Sequence, residues 1–127
     1  MKKNLVISAI AAIAAQNPKG YTVDAATLQP ITSGHAVALA VTQDSFGADG
    51  LAKVVDVIIK MQNQGEASRF DGLAFGGWYD RKSGRYHYDA TVIVKDRTEA
   101  LELARVNGQK AIYDLDNSDE IRLDDYK

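Results

Sequence analysis

Residues 76–115, GGWYDRKSGRYHYDATVIVKDRTEALELARVNGQKAIYDL, read almost without gaps as strand, turn, strand, capped helix, strand. In the returning strand Tyr86, Tyr88, Ala90, Val92 and Val94 share one face, while Arg85, His87, Asp89, Thr91 and Ile93 share the other. That period of two describes a hairpin strand with one apolar, aromatic face and one mostly polar face. Asp80-Arg81-Lys82-Ser83-Gly84 supplies the turn. Asp96 with Glu99 forms a D-x-x-E variant of the capping box, and Gly108 stands where the ensuing helix should stop. A helix placed between this hairpin and a further strand, Ala111 to Leu115, buries its apolar stripe by lying across a sheet.

The upstream half fits the same plan. Val6, Ile10 and Ile13 fall at i, i+4 and i+7, with Ala9 and Ala14 beside them, and predict a helix over 3–15 that stops at Asn17-Pro18-Lys19-Gly20. Tyr21 to Asp24 is extended and Ala25 to Pro30 turn-like; His35 to Val41, apolar on both faces, predicts an interior strand. Asp44 or Ser45 caps a second helix carrying Leu51, Val54, Val55, Ile58 and Met61. Val57 and Ile59 widen its stripe, which calls for cover on more than one side or for an interface with a second copy. Residues 62–69 are the candidate mobile loop. Phe70 to Tyr79 is extended, and its Gly72, Gly76 and Gly77 mark a bulge or a close backbone approach. After the strand at 111–115, Asp116-Asn117-Ser118-Asp119 turns, and Ile121 and Leu123 add a short edge strand. The order α-β-α-ββ-α-β predicts an α+β domain with two to three helices packed on one face of an antiparallel or mixed sheet.

At 127 residues and 46% hydrophobic, the chain is sized for one domain spanning residues 1–127. Its 15 basic and 17 acidic residues leave a net charge of −2, so no domain-wide positive field favours sequence-independent nucleic-acid binding. The acids concentrate in a C-terminal tail, 116–127, where Asp116, Asp119, Glu120, Asp124 and Asp125 face only Arg122 and Lys127, a composition suited to a basic partner surface. The absence of cysteine excludes disulfides, thiolate zinc sites and a cysteine nucleophile. Lys2-Lys3 followed by LVISAIAAIAA imitates a secretory signal. That run is largely alanine, too short to cross a bilayer, and closed by a helix stop. The expectation is a cytoplasmic protein, without a membrane segment, whose first helix belongs to the fold.

The polar hairpin face offers the best candidate chemistry. Alternate positions set Arg85, His87 and Asp89 about 7 Å apart on one surface, with Trp78 and Asp80 at its mouth. A histidine beside a carboxylate can act as general base, which makes His87 and Asp89 the candidate catalytic pair. Mixed charges are equally what the solvent face of a half-exposed sheet carries. Asp114 and Asp116 share one face of a strand end and can ligate magnesium, although turn chemistry accounts for them as well. The two histidines, His35 and His87, have no zinc-site spacing. Neither a nucleophile elbow nor a phosphate loop is present, and no motif calls for a cofactor. Trp78, Tyr79, Tyr86 and Tyr88 gather on the hairpin as core, stacking platform or binding hot spot; exposure of Trp78 or Tyr79 would favour a protein or nucleotide ligand. The candidate binding residues are Trp78, Tyr79, Asp80, Arg85 and His87, with Asp124 and Asp125 in the tail.

The stretch from Gly76 to Asp116 resembles an uncharacterised family of small proteins encoded by bacteriophages and other mobile elements. The shared pattern is a G-G-W-x-D turn (Gly76, Gly77, Trp78, Asp80), a G-x-x-Y-x-D strand (Gly84, Asp89), a D-x-x-E-A helix (Asp96, Glu99, Ala100) and an N-x-Q-x-A-I-x-D-L strand (Asn107, Gln109, Ala111, Ile112, Asp114, Leu115). His87 stands where the pattern has tyrosine. The resemblance implies a setting, not a reaction: in mobile elements, small acidic single-domain proteins often bind and block a host protein. The expectation is therefore a small non-enzymatic binding protein that uses the aromatic hairpin and the acidic tail to engage a host protein, such as an inhibitor of a bacterial defence component. The alternative is a small enzyme or nucleotide-binding protein with its site near His87, Asp89 and Asp114.

Overall fold

The computed structural model describes residues 2–65 and 70–126, with Asp125 and Tyr126 as backbone only. Its elements are α1 (Lys3–Gln16), β1 (Gly20–Asp24), β2 (His35–Ala38), α2 (Gly47–Asn63), β3 (Gly72–Asp80), β4 (Arg85–Val94), α3 (Arg97–Val106), β5 (Ala111–Asp114) and β6 (Asp119–Arg122). The strands form one antiparallel sheet in the order β1-β3-β4-β2-β5-β6. The fold is therefore α+β, as the order of elements predicts. Crossovers β2-α2-β3 and β4-α3-β5 each step over one strand, which is the split βαβ (ferredoxin-like) topology. The α1-β1 unit extends this sheet beyond β3, and β6 extends it beyond β5.

Register divides the side chains between two faces. Tyr21, Val23, Leu73, Phe75, Tyr86, Tyr88, Ala90, Val92, Val94, Val37, Ile112 and Ile121 point to the helices, whose Val6, Ile10, Leu51, Val54, Val55, Ile58, Ala100 and Ala104 complete a single core. Full burial of each large apolar side chain contributes roughly 1.5–3 kcal/mol, and Phe75, Ile10, Ile58 and Val92 are all of that kind. The opposite face pairs Gly72 with Ile93, Ala74 with Thr91, Gly76 with Asp89, Trp78 with His87 and Asp80 with Arg85.

Helix ends follow local chemistry in α1 and α3. Asn17 closes α1 by donating its Nδ2 to the Ile13 carbonyl, and Asp96 caps α3 by accepting the Glu99 N–H at 2.9 Å. The start of α2 differs from expectation. Neither Asp44 nor Ser45 caps it; Phe46 is the flanking residue and makes no side-chain cap bond. Ser45 instead spends its carbonyl on the Tyr88 N–H and is buried against Gly50, where a Cβ would lie 2.5 Å from the Ser45 carbonyl carbon.

β2 is also shorter than its apolar run. It ends at Ala38, and Ala40–Thr42 turns as a 3-10 helix. The detour is stitched to β4: Leu39 N–H donates to the Ala90 carbonyl, Ala90 N–H to Thr42 Oγ1 at 3.0 Å, and Phe46 bridges His87. The extra apolar residues of α2, Val57 and Ile59, pack on the core with α1 alongside, where Lys3 pairs with Asp56 at 2.8 Å. The acidic C-terminal stretch enters the fold as β6 and a final 3-10 turn, Leu123–Tyr126. Of the expected loop 62–69, residues 62–65 end α2, and 66–69 lie outside the described residues. Among the described residues no helix is long and apolar enough to cross a membrane.

Candidate functional site

The outer end of the β3–β4 hairpin collects most of the candidate residues. Strand pairing places Trp78 opposite His87 and Asp80 opposite Arg85. The Trp78 indole stacks on the His87 ring at 4.4 Å and 13°, and Phe46 meets the same imidazole edge-on at 5.1 Å. Trp78 Nε1 donates to Asp89 Oδ2 at 3.0 Å. Arg85 lies over the Phe46 ring at 4.4 Å, a cation–π contact. His87 is thus 8% exposed rather than a solvent-face residue: Phe46 and Trp78 close over it. Its Nε2 has no hydrogen-bond partner among the described residues and lies 3.9 Å from Asp80 Oδ2.

Electrostatics here follow from solvation and local hydrogen bonds. Burial pushes the Asp89 carboxyl up to about 6, although the indole N–H works in the opposite direction. The Ser83 hydroxyl and the Lys82 N–H hold Asp80 below the usual carboxylate range. Asp80 therefore organises the turn, which Gly84 completes at φ 69° by donating its N–H to the Asp80 carbonyl.

The four aromatics of the hairpin part company across the sheet. Tyr86 and Tyr88 face the helices with Tyr21, which stacks on Tyr86 at 6.3 Å. Burial raises the Tyr86 hydroxyl to about 12 while it donates to the Asn17 carbonyl at 2.8 Å. Burial also raises the Tyr21 hydroxyl, which has no partner among the described residues. Trp78 and Tyr79 remain 44% and 47% exposed, on opposite faces of the ribbon. Where Phe46 meets β4, a shallow cleft of about 390 Å³ is lined by Phe46, Gly47, Arg85, Tyr86 and Tyr88.

Asp114 does not join His87 and Asp89. It lies on the helix-facing side of β5 opposite His35, 3% exposed. It accepts from Asn117 Nδ2 at 2.8 Å, from the N–H groups of Asp116 and Asn117, and from Arg97 at 3.2 Å. Those bonds, Asn117 first, hold its carboxyl below the usual carboxylate range. Asp116 accepts the Gly34 N–H at 3.1 Å. Both acids tie the β5–β6 turn to the sheet, and no group of three metal-ligating side chains occurs among the described residues. Asp124 is exposed beside a second cleft of about 570 Å³ with Arg105 and Lys110; the Asp125 side chain lies outside the description.

No protein-family model, no curated protein and no solved structure matches this chain. Local geometry must therefore carry the functional argument. Phe46 is the site residue that sequence reasoning missed. It sits in a loop some forty positions from His87 in the chain, and only the detour after β2 brings the two rings together.

Proposed function

We propose that this chain is a non-enzymatic binding protein that engages a partner protein through the outer end of the β3–β4 hairpin. The observation that carries the reading is the state of Trp78. Its ring is nearly half exposed, yet it is fixed on one side by the His87 stack and at its N–H by Asp89. An anchor held in this way loses little side-chain entropy on binding, and Trp, Tyr and Arg are the residue types that dominate binding hot spots. Tyr79 and Arg85 complete that set. The mobile-element setting implied by the resemblance makes a host protein the partner of choice, with a defence component the leading class.

Affinity capture from host lysate with wild type and Trp78→Ala tests this reading. One stoichiometric protein retained by wild type and lost by the variant supports it; the same proteins retained by both would sink it.

Asp89 favours a second reading. A carboxyl that burial raises to about 6, two positions along the strand from an imidazole, is a feature of acid–base and ligand sites. On that reading His87→Ala and Asp89→Asn abolish turnover or binding of a small molecule without unfolding the domain.

A further inference from the structure

The hairpin end that displays Trp78 and Tyr79 also gathers exposed basic side chains. The turn contributes Arg81 and Lys82, β4 contributes Arg85, and Lys19 is brought alongside because its carbonyl accepts the Tyr79 N–H. All four are exposed, and none forms an ion pair with a described carboxylate. The nearby acids are engaged internally: Asp80 by the Ser83 hydroxyl and the Lys82 N–H, and Asp89 by the indole. In a chain whose net charge is −2, this cluster is a local reversal of sign.

We propose that the β3–β4 hairpin end inserts into an acidic-rimmed cleft of the partner protein. The inference rests on the protein-binding reading above and adds the chemistry of the partner. Its geometry argues for a cleft. Trp78 and Tyr79 are consecutive in β3 and point to opposite faces of the ribbon, so a flat surface covers one of them and only two facing walls cover both. Its charge argues for acids at the rim: four cations flank the aromatics, and complementary potentials set partner choice and encounter rate. Single-stranded nucleic acid fits less well. Successive bases stack on aromatics that share one surface, and here Trp78 and Tyr79 lie on opposite faces of the ribbon.

The test uses the intact protein, Arg81→Glu/Lys82→Glu and Trp78→Ala, each first shown by a cooperative melting curve to be folded at the assay temperature. Binding of a labelled poly-glutamate peptide and of a labelled single-stranded DNA oligonucleotide is followed by anisotropy and by the fluorescence of Trp78, the only tryptophan. Host-lysate capture is run in parallel. The proposal expects the peptide to bind more tightly than the oligonucleotide. It also expects the double charge reversal to weaken peptide binding by about tenfold or more and to release the captured protein. Tighter binding of the oligonucleotide overturns it in favour of nucleic acid. Peptide binding that is absent, or indifferent to the charge reversal, overturns it as well. A captured protein lost by Trp78→Ala but kept by the charge reversal defeats the acidic cleft and leaves the protein-binding reading standing; capture of nothing sensitive to either variant defeats both.

Discussion

Asp89 and Asp114 are two strand carboxylates that the fold drives in opposite directions. Asp89 trades water for Trp78 and its strand neighbours, and its carboxyl rises from the ordinary value of 3.8 to about 6. Between those values the native state holds a proton that the unfolded chain releases. Its stabilising contribution is therefore complete below about pH 4, falls as pH rises through about 6, and is lost above that. Two units correspond to roughly 2–3 kcal/mol, reduced to about 1–2 kcal/mol by the water that still reaches the group. Asp89→Asn keeps an acceptor for the indole and removes the charge. It should raise the urea midpoint at pH 8, have little effect at pH 4, and flatten the profile between. Asp114 behaves in the opposite sense. Its depressed carboxyl stabilises the fold above about pH 4 and ceases to do so as pH falls through its native value. Asp114→Asn should lower the melting temperature at pH 7 and converge on wild type in acid unfolding.

The hairpin and the β2–α2 connection depend on groups whose partners lie on other elements. Gly77 is the clearest case. A Cβ there would overlap Tyr21 Cε1 and stand 2.7 Å from Tyr21 Cζ and 2.9 Å from Tyr86 Cε1. The stacked tyrosines occupy the space over this glycine, so Gly77→Ala forces them apart. The expected cost is about 1–3 kcal/mol in equilibrium denaturation, with a changed near-ultraviolet circular dichroism signal from the aromatics. Thr42 plays the corresponding part in the detour after β2. Its Oγ1 accepts the buried Ala90 N–H, so Thr42→Val leaves that donor without a partner and should cost about 1–3 kcal/mol. Thr42→Ser retains the acceptor and should recover most of the loss. If valine and serine were equivalent, the detour would owe its stability to packing instead.

For the molecule as a whole, charge and apolar surface are distributed differently. Among the described residues the large exposed hydrophobics, Leu5, Val41, Trp78, Tyr79, Val106 and Tyr113, are scattered except for Trp78 and Tyr79, which are consecutive at the hairpin end. The apolar surplus of α2 that pointed to self-association is met within the chain, since Val57 and Ile59 pack on the core where α1 lies along α2. Static light scattering should accordingly return the monomer mass of 13.8 kDa. A mass of twice that value would mean that scattered residues, or the hairpin itself, suffice for a dimer interface.

Much of the architecture was legible in the residue order, because the signals are local. A period of two separates the faces of β4, a period near 3.6 marks α1 and α2, and Asp96, Gly84 and Gly108 act within a few residues of where they stand. The same alternation placed Arg85, His87 and Asp89 on one face, with Trp78 and Asp80 at its mouth; the strand register then sets all five on that face. Beyond the β3–β4 hairpin, no local signal specified which strands are neighbours. Strand order lodges Asp114 with His35 and Arg97 instead of with His87, and inserts β2 between β4 and β5. The route after Ala38 brings Phe46 onto His87 and converts a nominal solvent face into a covered imidazole with an ordered indole upon it. The sequence by itself determined the elements, their amphipathic faces and the α+β class, since those depend on contacts within a few residues. Burial of His87, the rise of Asp89 and the fixed, exposed Trp78 were decided by the tertiary structure alone, because desolvation and stacking depend on which distant segments fill the space around a group.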